Sequence, residues 1–175
     1  MITYLPGDAT NPAGNEPRII CHICNDVGGW GRGFVLAISR RWPEPEAEFR
    51  AWHRSDAGFE LGQVRLVQVE ESLWVANMIG QHGIRPTKEG PPIRYDAVDR
   101  GLKAVAINAI ELGASLHMPR IGCGLAGGTW DRIEPLIAHR LVTKGIPVTV
   151  YSWSERPPFL LPHRSPHEDP QATGR

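Results

Sequence analysis

Lysine is scarce in this chain of 175 residues: Lys88, Lys103 and Lys144 are the only three. No Gly-Lys-Ser/Thr triplet occurs, which excludes the phosphate-binding loop of nucleotide hydrolases. No acidic residue is spaced as a dinucleotide-binding unit requires, which removes a dehydrogenase reading. Net charge is absent too, with 19 basic against 19 acidic residues, so there is no global attraction to nucleic acid or anionic lipid. No apolar run is long enough to span a bilayer, and the N-terminus lacks the basic-then-apolar layout of a secretory leader; both point to the cytoplasm. Cysteine is limited to Cys21, Cys24 and Cys123, an odd number without a leader, so disulfides are not expected. Cys21 and Cys24 form a C-x-x-C, but they sit in a segment that reads as a buried strand, and no second ligand pair follows. A zinc site is not expected.

What the chain does have is glycine in two clusters. Pro119 to Trp130 carries four glycines, preceded by a buried strand from Ala114 to Met118. A helical stripe follows it, with apolar residues at 133, 136, 137, 141 and 142, running to Lys144 with Gly145 as its cap. The second cluster, Asn25 to Gly33, follows a strand at Arg18 to Cys24 and again leads into a helix, with Phe34, Val35, Leu36, Ile38 and Trp42 as its apolar set. A loop without Cβ atoms lets backbone N–H groups reach an anion, and the helix N-terminus adds partial positive charge. A plain tight turn between packed elements remains the alternative for either loop alone. Two such loops at one sheet edge suggest a diphosphate between them.

The remaining elements read as a strand at 1–6, a helix from Pro43 to about His53, and paired strands at 62–70 and 72–80. A polar loop spans Gln81 to Pro92. A helix at 94–112 follows, with an apolar face of Tyr95, Val98, Leu102, Val105, Ile107 and Leu112, and Pro147 to Tyr151 is the last strand. This alternation predicts a three-layer α/β/α sandwich around a mixed sheet of about six strands, with ligands at the carboxyl ends of strands. Residues 154–175 shift to Pro, His, Arg and Ser and are expected to form a mostly disordered tail.

Taken as a set, Gly7-Asp8, Asn25 to Gly33, Met118-Pro-Arg-Ile-Gly-Cys-Gly-Leu125 and Val148-Thr-Val-Tyr151 resemble a macrodomain over residues 1–153. The resemblance is nearest to the branch holding the terminal ADP-ribose protein glycohydrolase and the ADP-ribose-1″-phosphate phosphatases. The layout is also similar to a bacterial group that removes ADP-ribose from acidic side chains. It implies ADP-ribose, free or attached to a protein, as ligand or substrate, with no separate cofactor; a nucleic-acid-linked form is not indicated.

By the same resemblance, Asp8 and Ala9 would meet the adenine, with an Asx turn as the other role open to Asp8. Tyr151 or Trp153 would pack beside the base, although core burial explains Tyr151 equally. Gly122, Cys123, Gly124 and Leu125 would donate backbone N–H bonds to the diphosphate; Arg120, Ile121 and Ala126 belong to the same ADP-ribose-binding set, Arg120 alternatively tying the loop to the sheet edge. Gly29, Trp30, Gly31 and Gly33 would close from the opposite side. Asn25 and Asp26 would reach the distal ribose, unless Asp26 caps the next helix.

The catalytic lysine and acid of the glycohydrolase branch have no counterpart: the lysine position falls in Asn77 to Gly83, the acid position at Ala126, and only Lys88 could fold back. The expectation is therefore water attack at the distal ribose, with Gln81 orienting the water, Asp26 as the base and His82 assisting. A plain polar loop is the other reading of Gln81-His82. Two further functions stay open: a phosphatase using His22, which could equally be a hydrogen-bonded core histidine, and a non-catalytic reader of ADP-ribose.

Overall fold

At the middle of the sheet lies β2 (Arg18–Asn25), almost wholly buried because it carries Ile19, Ile20, Cys21, Ile23 and Cys24, interrupted only by His22. A parallel strand covered on both faces needs such continuous apolarity rather than alternation. The computed structural model describes residues 1–152; Trp153 and the expected tail at 154–175 lie outside them.

Six strands form one sheet: β1 (Ile2–Pro6), β2, β3 (Val64–Glu70), β4 (Leu73–Gln81), β5 (Ser115–Pro119) and β6 (Val148–Ser152), in the order β1-β6-β5-β2-β4-β3. Only β3 runs antiparallel, joined to β4 by the Glu71-Ser72 turn. The mixed six-stranded sheet matches the expectation. Side-chain alternation in β2 and β4 divides the core. Ile19, Cys21, Ala76 and Met78 face α3 (Tyr95–Leu112) and α4 (Trp130–Arg140), whereas Ile20, Cys24, Val75 and Ile79 face α1 (Phe34–Ser39) and α2 (Glu44–Ser55). Cys21 and Cys24, three residues apart on a strand, thus point to opposite faces. Burial pushes the Cys21 thiol up to about 12, and raises that of Cys24 well above its ordinary value.

Several helix ends and faces differ from expectation; α1 ends at Ser39, so Trp42 packs from beyond it, and Leu36 is exposed. The last helix stops at Arg140, and Val142–Lys144 tightens into a 3-10 turn ended by Gly145 at φ +74°, which lets Leu141 and Ile146 both turn inward. On α3 the buried stripe is Val98, Gly101, Leu102, Val105 and Ala109, while Ile107 is exposed because it falls off the i, i+3, i+4 period. Among the described residues no helix is long and apolar enough to cross a membrane.

Candidate functional site

Because β2 and β5 are parallel neighbours, the two glycine loops leave the same edge of the sheet side by side. The loop after β5 is folded on itself by four backbone bonds: Ile121 N–H to Pro119 O at 2.7 Å, Cys123 N–H to Arg120 O at 3.3 Å, Gly127 N–H to Gly124 O at 3.0 Å and Gly128 N–H to Gly122 O at 2.7 Å. Gly122 holds φ at +73°, and a Cβ there would stand 2.8 Å from Ile93 and 3.1 Å from Ile23. A Cβ on Gly128 would come within 2.5 Å of the Gly122 carbonyl oxygen. Both positions therefore require glycine.

The loop after β2 is organised by one side chain. Asn25 Oδ1 accepts from Gly29 N–H at 2.8 Å and Val27 N–H at 3.2 Å, while Nδ2 donates to Gly29 O at 2.8 Å. Its oxygen is fully used, so Asn25 keeps at most one N–H for a ligand. The loops touch across their tops, where a Cβ on Gly33 would lie 3.4 Å from Leu125 Cδ1.

Between the loops runs a cleft in two connected parts. An inner cavity of about 290 Å³ is lined by the predicted Gly33, Gln81, Arg120, Ile121, Gly122, Gly124, Leu125 and Ala126, along with His22 and Arg32. An outer cavity of about 300 Å³ is lined by the predicted Asn25, Gly29, Gly31, Gln81 and Leu125, with Arg32, Ile84 and Arg85. Ile23, Arg32, Val35, Gln81 and Leu125 belong to both, which makes the two continuous.

The remaining predicted residues lie elsewhere. Asp8 forms the Asx turn, its Oδ1 accepting from Thr10 N–H and Oγ–H, both at 2.8 Å. Ala9 is buried beside it. The Tyr151 hydroxyl accepts from Ala13 N–H at 3.0 Å and donates to His117 Nδ1 at 3.0 Å, so its ring supports the segment after β1 and is 6 % exposed. Asp8, Ala9 and Tyr151 nonetheless sit at the carboxyl ends of β1 and β6, next to β5 on the edge that bears the cleft. Trp30 does not close over the cleft: its indole is buried against Phe49 and His22, with its N–H on Ser39 Oγ at 2.8 Å. Cys123 Sγ approaches the Ile121 carbonyl at 3.5 Å, and burial raises its thiol above the ordinary value.

The expected catalytic trio is split. Asp26 and His82 do not line the cleft; they line a separate depression with Glu60, Gln63 and Arg100. Both carboxylate oxygens of Asp26 are engaged there, Oδ1 accepting from Gly83 N–H at 2.8 Å and Oδ2 from His82 Nδ1 at 2.6 Å. With Asp26 N–H on Gln81 O at 3.1 Å, the residue clamps the loop after β2 to the chain leaving β4. Nor does Asp26 cap a helix, since α1 starts after Gly33 with no side-chain cap. The base and helper roles given to Asp26 and His82 are therefore set aside on geometric grounds. Gln81 does face the cleft. Its Nε2 donates to Gly83 O at 3.0 Å, which leaves Oε1 to accept.

His22 takes the structural role. Its Nε2–H donates to Asn77 Oδ1 at 2.6 Å, with the amide held by Asn77 Nδ2 donating to Pro45 O at 2.9 Å. Burial lowers its pKa to about 4, so the ring is neutral near pH 7. Lys88 lies exposed in the Thr87–Gly90 turn and does not line the cleft. Among the described residues no His, Cys, Asp and Glu cluster could hold a metal.

Arg32 and Arg85 were not anticipated. Arg32 is the one charge inside Gly-Trp-Gly-Arg-Gly, a signal available in the sequence; Arg85 carried none. Arg120 expected to meet a phosphate or tie the loop down, instead stands over the rings of Tyr4 at 5.9 Å and Trp130 at 5.5 Å, while still lining the inner cavity. Among the described residues none of these three guanidiniums forms an ion pair. A cleft walled by glycine backbone, with three uncompensated cations and no carboxylate, is built for an anionic ligand.

No family model matches the chain. The structure is similar to that of a macrodomain protein from Streptomyces coelicolor, with 58% identity and a TM-score of 0.78 over 88% of this chain and 100% of that one. It is also similar to Thermosipho africanus DarTG in complex with ADP-ribose, at 21% identity and a TM-score of 0.64 over 77% of this chain and 38% of that one; this likeness shows the fold alone. By sequence it is 34% identical over 159 residues to the Mus musculus chromodomain-helicase-DNA-binding protein 1-like, covering 86% of this chain and 17% of that protein. An ADP-ribose 1″-phosphate phosphatase of Meyerozyma guilliermondii is 21% identical over 81% of this chain and 94% of its own length. The chain thus spans about a sixth of the helicase relative it matches first. With the sheet order, the paired glycine loops and this identity across the full length of a macrodomain protein, the chain belongs to the macrodomain family.

Proposed function

We propose that this chain binds ADP-ribose in the cleft and hydrolyses the bond joining its distal ribose to an acidic protein side chain. The observation that carries the ligand is the cleft itself: glycine amides on both sides, with Arg32 and Arg120 on the same inner cavity. A relative named as an ADP-ribose 1″-phosphate phosphatase supports the same ligand class. In this reading adenine lies toward Asp8, Ala9 and Tyr151. The diphosphate meets the amides of Gly122, Gly124, Leu125 and Ala126, while the Ile121 and Cys123 N–H groups stay within the loop, and the distal ribose sits beside Gln81, Asn25 and the backbone of 29–33.

Gln81 Oε1 accepts a hydrogen bond from water and aims it at the anomeric carbon. The water oxygen bonds to that carbon, the carbon–oxygen bond to the side chain breaks, and its electron pair leaves on the carboxylate. The water proton passes to solvent. A carboxylate leaves readily, so orientation supplies most of what the step needs.

A reader that binds without turnover is favoured by one observation: among the described residues the cleft has no carboxylate, and its one histidine, His22, is neutral and engaged. The same engagement of His22 with Asn77 weighs against a phosphatase built on that residue. Calorimetry with ADP-ribose, followed by incubation with glutamate-ADP-ribosylated protein, separates these. Binding with release of free ADP-ribose is expected, and Gln81→Ala should slow release about 10–100-fold. Binding without release would leave a reader, and no binding would end the proposal.

A further inference from the structure

One half of the sheet is covered differently from the rest. Alternation sends Leu116, Met118, Val148 and Val150 to the face under α3 and α4, so Ser115, His117 and Tyr151 take the opposite face. The strand residues that pack with α1 and α2 on that opposite face lie on β2, β3 and β4. Over β5 and β6 the cover is instead residues 7–17, the segment between β1 and β2. Only Ala9, Thr10 and Pro12 of this segment are fully buried, and none of its residues belongs to either apolar cluster. A cover without apolar anchors depends on hydrogen bonds to hold it.

Those bonds converge on two buried side chains. The Tyr151 ring lies against Gly7, its Cδ1 3.6 Å from where a Cβ would be, and its hydroxyl accepts from Ala13 N–H at 3.0 Å. The hydroxyl proton then goes to His117 Nδ1 at 3.0 Å, and His117 Nε2–H donates to Ser115 Oγ at 2.9 Å. This order needs a neutral imidazole. Burial, with Arg18 nearby, lowers the His117 pKa to about 4 and keeps it neutral. Arg18 secures the far end of the segment, Nη1 donating to Pro12 O at 2.9 Å and Nε to Glu16 O at 3.1 Å.

Resting on the function above, we propose that His117 is a positioning residue for the adenine end: through the Tyr151 hydroxyl it fixes residues 7–13 and so sets Asp8 and Ala9 against the base, without touching the ligand itself. One imidazole in mid-strand thus does for this segment what a covering helix does over β2, β3 and β4. The effect is confined to the adenosine half of the ligand, because the glycine loop after Pro119 is held by its own backbone bonds.

The test measures affinity for ADP-ribose by calorimetry and for ribose 5-phosphate, which lacks the adenosine half, by NMR titration. His117→Leu should weaken ADP-ribose about tenfold, the scale of one lost buried hydrogen bond, and change ribose 5-phosphate less than about twofold. His117→Asn, whose side-chain oxygen can stand where Nδ1 stood, should bring ADP-ribose back to within about threefold, a rescue that general loosening of the sheet would not give. Tyr151→Phe should match His117→Leu, and the double variant should lose no more than either alone, since both break one bond. Hydrogen exchange at the Ala13 amide should quicken about tenfold in Tyr151→Phe, a measurement that stands even where His117→Leu does not fold. ADP-ribose affinity unchanged in His117→Leu, or equal losses for the two ligands, overturns the positioning role. Additive losses, or Ala13 exchange unchanged in Tyr151→Phe, overturn the route through the Tyr151 hydroxyl. Failure of the wild type to bind ADP-ribose overturns the proposed function and the positioning role together.

Discussion

Asp26→Asn distinguishes a clamp from a base. In the structure Asp26 Oδ1 accepts from Gly83 N–H at 2.8 Å, and an asparagine oxygen in the same place keeps that bond. What the substitution removes is the charge facing His82, whose side chain is 57% exposed. Even as a full ion pair, a contact this open to solvent contributes at most about 1 kcal/mol, equivalent to roughly a fivefold effect. A general base removed from a reacting water instead costs roughly 10²–10⁴-fold in rate. The assay is release of ADP-ribose from glutamate-modified protein, with ADP-ribose affinity measured alongside. A fall in kcat of less than about fivefold is expected for Asp26→Asn. Asp26→Ala should do more harm, chiefly to affinity, because Gly83 N–H then has no acceptor, a loss of about 1–3 kcal/mol. A hundredfold drop in kcat for Asp26→Asn, with affinity intact, would refute the clamp and restore Asp26 as the base.

Gly128→Ala should weaken ADP-ribose binding about 5- to 150-fold, since its Cβ would meet the Gly122 carbonyl at 2.5 Å and force open the loop, a strain of about 1–3 kcal/mol; calorimetry within twofold of wild type would contradict this. His22 and His117 both have pKa values lowered to about 4, chiefly by burial. The folded state therefore binds fewer protons than the unfolded chain between its ordinary histidine pKa near 6.5 and about 4, and stability should be intact above 6.5 and fall with pH through that window. A thermal midpoint flat from pH 6.5 to 4 would count against it, and His22→Gln should shallow the slope. With Cys21 and Cys24 buried and Cys123 half-buried, a thiol reagent should label Cys123 first in the native protein; equal labelling of all three by mass spectrometry would show that the core is open.

Much of the scaffold is written locally. The run Arg18 to Cys24 is apolar on both faces and reads as a strand covered twice, and the four glycines after Met118 read as a loop; two neighbours of this kind imply a cleft between them. The resemblance of these loops to a macrodomain rested on the same residues. Orientation was not legible in this way. Nothing in Asn25-Asp26 says that the asparagine oxygen is consumed inside its own loop by Gly29 while the carboxylate turns toward Gly83 and His82, because the partners of Asp26 lie just past the end of β4, Gly83 being 57 residues away.

The sequence by itself determined the alternation of strands and helices, the mixed sheet and the position of the glycine loops, since each depends on periodicity and on residues without Cβ atoms. Tertiary structure alone decided which side chains face the ligand. It turned Trp30 and His22 into core, drew Asp26 and His82 out of the cleft, and brought Arg32, Arg85 and Arg120 around it. The physical reason is that a side chain's direction at the end of a strand follows from register and from hydrogen-bond partners on neighbouring strands, and these are distant in sequence.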